Sequence, residues 1–131
     1  MSDTPHPSPF KSKRGLGRLF NALRYAVQGM QAALTHEASF RQEFGLAVIM
    51  IPTAFWLGRH PYEVLLLIAV VLVVLVVELL NSAIETVADA VSLEPHPLIG
   101  RAKDLGSAAV MITLIFAGAT WAMVAYLRFW G

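Results

Sequence analysis

Apolar positions in residues 16–34 recur at helical spacing. Leu16, Leu19, Phe20, Leu23, Val27, Met30 and Leu34 fall within roughly a third of a helical wheel at about 100° per residue. Arg14, Arg18, Asn21, Tyr25 and Gln28 take the opposite side. The pattern predicts an amphipathic helix over about residues 15–35, with Lys11, Lys13 and Arg24 adding positive charge. Such a helix suits the surface of an anionic membrane. Taken alone, it suits packing on a soluble core equally well.

Three longer apolar stretches follow. Residues 44–58 are charge-free, but they number only 15 and include Pro52, a length shared by buried helices and membrane spans. Extension back through Ala38 gives a first span over about residues 38–58, with Arg41 and Glu43 at one interface. Trp56 then falls near the opposite interface, where Trp is favoured. Gly58-Arg59-His60-Pro61 reads as a short turn. Residues 64–77 are an unbroken aliphatic run that predicts a second span over about residues 62–90. Residues 92–100, interrupted by Pro95 and Pro97, read as a loop. Residues 105–127 carry no charge and predict a third span over about residues 100–129. Within it, Gly118 and Ala122 have the small-xxx-small spacing that permits close helix packing.

Composition agrees with a membrane protein. The 131 residues allow one domain, 15–131, after a leader at 1–14 that holds Pro5, Pro7 and Pro9 and reads as disordered. The leader lacks the apolar core of a signal peptide. The chain is 56% hydrophobic and 15% charged, with mean hydropathy +0.61. A net charge of +1 offers no basic field for nucleic acid. The absence of cysteine excludes disulfides, thiolate metal sites and cysteine nucleophiles. The expected fold class is all-α: one amphipathic surface helix and three transmembrane helices. With the N-terminus inside, eight of the ten Lys and Arg residues are cytoplasmic and only Arg59 and Arg128 are outside. That bias places the N-terminus in the cytoplasm, the C-terminus in the periplasm, and the 92–100 loop inside.

The end of the second span carries candidate chemistry. Glu78, Asn81, Ser82, Glu85 and Asp89 fall within roughly 100° of one another on the helical wheel. Glu78 directly follows Val77, near the hydrocarbon edge, where an ionisable group is costly and calls for a functional partner. Carboxylates on one stripe can hold a hard cation such as Mg2+, and one of them can take a proton from an attacking hydroxyl. The plain alternative is the solvated end of a long helix, most natural for Asp89. Two other clusters share this membrane level. His36, Glu37, Arg41, Gln42 and Glu43 stand at the entry to the first span, where Glu37 and Arg41 could simply form a helix ion pair. Arg101, Lys103 and Asp104 open the third span, where Lys103 could meet a phosphate and Arg101 could serve as a positive-inside anchor. Acidic ligands, cationic contacts and a basic amphipathic helix at one interface indicate nucleotide chemistry on a lipid. No G-x-x-x-x-G-K-[ST] loop, H-R-D or D-F-G motif is present, and the chain is too short for a soluble kinase fold.

Three segments are similar to a known family. Glu37-Ala-Ser-Phe-Arg-Gln-Glu43, Glu78-Leu-Leu-Asn-Ser-Ala-Ile-Glu85 and Gly100-Arg-Ala-Lys-Asp-Leu-Gly-Ser-Ala-Ala109 closely resemble the bacterial diacylglycerol kinases, small integral membrane proteins, with matching spacings from about Gly17 to Trp130. The resemblance implies a homotrimer with active sites shared between neighbouring subunits, ATP as cosubstrate and Mg2+ as cofactor. It implies diacylglycerol as acceptor and phosphatidic acid as product, in phospholipid recycling at the inner membrane. It implies Glu78 as general base and Glu37 and Glu85 as metal ligands, with Asn81 beside them. Arg18, Tyr25, Glu37, Asn81, Glu85, Glu94, His96, Lys103 and Asp104 match nucleotide-side positions. Arg18, Phe40, Gln42, Glu43, Trp56, Glu78 and Ser107 match lipid-side positions. Pro95 and Pro97 depart from the family's usual loop, and the leader is longer than usual.

The closest rival is the same chemistry on undecaprenol. The wording of Phe40-Arg-Gln-Glu43 is nearer the diacylglycerol branch. A non-enzymatic pore or transporter subunit is a rival of another class. It needs a carboxylate deep in the bilayer beside an aqueous path, whereas the acidic residues here gather at one interface.

Overall fold

The computed structural model describes residues 15–91 and 93–131. The leader expected over residues 1–14 lies outside the described residues, with Lys11, Lys13 and Arg14, and so does Ser92. Among the described residues the chain forms four helices and no strand: α1 (Gly15–His36), α2 (Ala38–Leu57), α3 (Pro61–Val91) and α4 (Pro97–Trp130). The last begins before its expected start near residue 100. Pro97 occupies the first turn, where a missing N–H costs nothing, and the His96 Nδ1 accepts from the Leu98 N–H at 3.1 Å as a cap.

Length and composition are consistent with a small membrane protein. α3 has 31 residues and α4 has 34. At about 1.5 Å per residue, both exceed the ~30 Å hydrocarbon core. Both are long and apolar enough to cross a membrane. α2 has 20 residues, about the length of a crossing. The polar run Arg41-Gln42-Glu43 occupies its beginning, and it does not meet the same standard.

The α2–α3 connection is tight for a local reason. A Cβ on Gly58 would lie 2.6 Å from the Val64 Cγ2 and 2.9 Å from the Val64 nitrogen, so no larger residue fits. Pro61 starts α3, and the Glu63 carboxylate reaches back to accept from the Arg59 N–H at 3.1 Å. This is a variant of the capping box.

α3 packs most extensively on α4 and next on α2, while α1 contacts α2. Ala54, Leu57, Leu67 and Val124 form the larger core cluster, and Val70, Val74 and Ala117 continue it. Trp121 packs on both, and its indole N–H donates to the Leu67 carbonyl at 3.2 Å. Much of the aliphatic surface of α3, including Leu65, Leu72, Val73 and Val76, remains exposed within one chain. An apolar surface of that size fits lipid or a neighbouring subunit, not water.

α1 buries only Ala33. Its stripe of Leu16, Leu19, Phe20, Leu23, Val27 and Met30 is exposed. The soluble-core reading of this stripe therefore finds no core in the chain. Arg41 holds the end of α1, its guanidinium donating to the Leu34 and Thr35 carbonyls at 3.1 and 3.0 Å. These bonds, not an ion pair with Glu37, are what Arg41 forms. The close packing that the Gly118–Ala122 spacing permits does not occur within the chain. A Cβ added at Gly118 would meet nothing within 4 Å, because Gly118 faces an open slot. The close approach of α3 and α4 falls at Gly106 instead.

Candidate active site

Antiparallel α2, α3 and α4 bring the start of α2, the end of α3 and the start of α4 to one end of the molecule. This acidic end holds Glu37, Glu43, Glu78, Glu85 and Asp89 from three different segments. Glu78 is the most enclosed of them, 5% exposed. Glu43, Glu85 and Glu37 all lie within electrostatic reach of it. Among the described residues, no hydrogen bond or ion pair forms on its carboxylate. A buried acid surrounded by three others is costly to maintain, and a site that brings in a cation or gives up a proton supplies a reason for it.

Two openings are lined by α3 residues before and after Glu78, though not by Glu78 itself. An apolar slot of about 240 Å3 lies between α2, α3 and α4, lined by Met50, Val74, Leu75, Leu114 and Trp121, with Glu43 among its walls. A groove of about 780 Å3 lies between α1 and α3, lined by Met30, His36, Glu37, Leu79, Ser82 and Thr86. Val74 and Leu75, one turn before Glu78, face the first, while Leu79 and Ser82, just after it, face the second. Glu37 adopts the N-cap position of α2 without using its side chain for the cap. Its carboxylate is thus left for the groove.

Glu85 and Asn81 act as a unit on α3. The Asn81 Nδ2 donates to the Glu85 Oε1 at 3.3 Å. The Asn81 Oδ1 is buried and accepts no hydrogen bond. It lies against Gly106 of α4, where an added Cβ would collide with it. Lys103, one turn before Gly106, donates to the Asp89 Oδ1 at 2.8 Å.

The donor chemistry fits a hard divalent cation: Glu37 and Glu85 are carboxylates, and Asn81 adds an orphaned amide oxygen. Among the described residues, no three His, Asp or Glu side chains form a closed metal cage. Mg2+ needs none, since it is commonly held by one or two carboxylates together with waters and substrate phosphates.

Other expected site residues are distributed more widely. His96 and Glu94 line a loop cavity of about 590 Å3 together with Lys103. Gln42, Asp104 and Ser107 are exposed at the acidic end. Arg18 and Tyr25 are exposed on α1. Arg18 lies about 27 Å along the axis from the end of α1, so one chain does not bring it to Glu78. Phe40, expected on the lipid side, is fully buried and packs near Phe44 at 6.0 Å between ring centroids. An aromatic ring next to a polar run gains most by leaving water, and it anchors the start of α2. Trp56 lies at the other end of α2, where Phe129 packs at 5.9 Å and the Arg128 guanidinium sits 6.0 Å from its ring centroid. Sequence reasoning missed Glu63, Gly106 and Trp121. Only Glu63, in the first turn behind Pro61, had a legible local signal.

These features define a class: a small helical protein, apolar enough for a membrane, with acids gathered at one end beside an apolar slot. A family model described as prokaryotic diacylglycerol kinase matches residues 24–125. A diacylglycerol kinase of Pseudomonas aeruginosa is 52% identical over 118 residues, covering 90% of this chain and 96% of that protein. That of Haemophilus influenzae is 49% identical over 107 residues, covering 82% and 91%. That of Escherichia coli K12 is 46% identical over 116 residues, covering 88% and 94%. The chain belongs to the prokaryotic diacylglycerol kinase family.

Proposed function

We propose that this protein transfers the γ-phosphoryl group of ATP to the primary hydroxyl of diacylglycerol, giving phosphatidic acid and ADP. The observation that carries the reading is Glu78: buried, without a hydrogen bond or ion pair among the described residues, and within electrostatic reach of three other acids. The similarity to diacylglycerol kinases supports the lipid kinase assignment.

The lipid hydroxyl approaches from the slot side, where Glu43, Gln42 and Ser107 offer polar contacts. Glu78 accepts its proton as the oxygen attacks the γ-phosphorus in line and the bond to the β-phosphate oxygen breaks. Glu37 and Glu85 would hold Mg2+, which supplies charge neutralisation on the β- and γ-phosphates when bound. Asn81 orients Glu85. Lys103 meets the phosphates, and Asp104, Glu94, His96, Tyr25 and Arg18 border the nucleotide. Trp56 contacts lipid at the far interface. Such catalysis is mostly positioning and electrostatics, so a small scaffold suffices.

The exposed apolar face of α3 and the distance of Arg18 from Glu78 support a homotrimer whose sites are shared between neighbours. Completing the scheme, α1 lies on the cytoplasmic surface of the inner membrane, α2 is the first of three spans, and the C-terminus is periplasmic. The count of Lys and Arg supports this orientation.

The test uses purified protein with radiolabelled ATP, Mg2+, and either diacylglycerol or undecaprenol in mixed micelles. Labelled phosphatidic acid is the expected product. Turnover confined to undecaprenol would move the protein to the other acceptor, and no turnover with either lipid would overturn the kinase reading.

A further inference from the structure

Lys103 and Asp89 face each other across the α3–α4 hairpin. Theirs is the one ion pair that joins two helices among the described residues. The side chains remain 42% and 52% exposed. An ion pair this open adds little to stability, so its effect lies in where it places the ammonium. Lysine is a point charge on a flexible four-carbon stem. Without a partner, the Lys103 Nζ would sweep the solvent above the start of α4. Bound to Asp89, it crosses toward α3, one turn beyond Glu85, and stays within electrostatic reach of that carboxylate. It also stays on the wall of the loop cavity that Glu94, His96 and Gly100 share.

We propose that Asp89 is a positioning residue for phosphoryl transfer, whose carboxylate holds the Lys103 Nζ beside Glu85, where the nucleotide phosphates must lie. This rests on the phosphate role assigned to Lys103 above. Asp89 touches no phosphate itself. Its negative charge also repels the polyphosphate, at a range inside the ~10 Å screening length at 0.1 M salt. The 2.8 Å bond to Lys103 opposes that repulsion by fixing the ammonium, and the sign of the change in KM for ATP decides between them.

The experiment titrates ATP against the full-length protein in mixed micelles, with diacylglycerol and Mg2+ saturating. Asp89→Ala should raise the KM for ATP about tenfold while kcat stays within about threefold. Asp89→Asn keeps an oxygen acceptor in place and should recover most of that loss. Asp89→Ser is a second truncation with the same expected rise, used where the alanine variant does not fold. Lys103→Ala should raise the KM further, and adding Asp89→Ala to it should do nothing more, because one residue acts through the other. The exchanged pair, Asp89→Lys with Lys103→Asp, should unfold at the wild-type temperature yet keep a high KM. A KM that falls or stays level in Asp89→Ala overturns the proposal. So do effects that multiply in the double variant, or a KM restored by the exchanged pair. An unchanged KM in Lys103→Ala overturns the phosphate role of Lys103 and this proposal with it, whereas a silent Asp89→Ala beside an impaired Lys103→Ala overturns this proposal alone.

Discussion

Two buried carboxylates on α3 are 6% and 5% exposed, yet their surroundings are opposite in character. Glu63, near the start of the helix, accepts the Arg59 backbone N–H at 3.1 Å and stands 4.0 Å from the Arg59 guanidinium. Its charge is used up in closing the α2–α3 turn. Glu78, about 22 Å further along the same helix, faces three acids and no donor among the described residues. Burial alone therefore does not mark a functional acid. What distinguishes Glu78 is burial without compensation, which folding alone would not favour.

The largest effect is expected at Glu78 itself. Glu78→Gln keeps the shape and removes the proton acceptor. Turnover should fall by about a thousandfold or more, with ATP binding and subunit assembly unchanged. Activity within about tenfold of wild type would remove Glu78 as the base. Glu85→Gln should raise the Mg2+ concentration needed for half-maximal activity by about a hundredfold. A superimposable Mg2+ titration would deny it a ligand role.

A smaller effect tests the support behind Glu85. Gly106→Ala pushes a methyl group into Asn81, costing about 1–3 kcal/mol of stability and raising the Mg2+ requirement about tenfold. Truncating Asn81 to Ala in the same protein should recover the stability but not the Mg2+ response. If it recovers both, Asn81 is only a packing residue. The smallest effect on activity belongs to the other acid. Glu63→Ala should lower unfolding stability by about 1–2 kcal/mol, read by thermal denaturation in detergent, and leave turnover within about twofold. A large loss of activity there would erase the distinction between the two carboxylates.

The helices themselves were legible along the chain. The aliphatic run at 64–77 and the uncharged run at 105–127 allow little else, and the observed bounds of all four helices differ from expectation by at most a few residues. The acid stripe of α3 was legible as well, because helical periodicity puts residues 78, 81, 82, 85 and 89 on one face whatever surrounds them. Less visible was the start of α4 at Pro97, which depends on the His96 cap.

What lay beyond reach were the partners of each side chain. Arg41 has an acid four residues away in sequence and bonds instead to carbonyls of α1. Gly118 has the spacing for close packing, yet Gly106 is where α3 and α4 meet. Asp89 reads as a solvated helix end until Lys103 is seen across from it. Periodicity assigns a residue to a face of its own helix and carries no information on the rotation or height of the next one. The amino-acid sequence alone thus determined which segments are helical, that α3 and α4 are long and apolar enough to cross a bilayer, and which faces carry charge, since hydrophobicity and helical repeat act locally. Only the tertiary structure decided that Glu63 is neutralised and Glu78 is not, because that depends on which groups the neighbouring helices bring within a few ångströms.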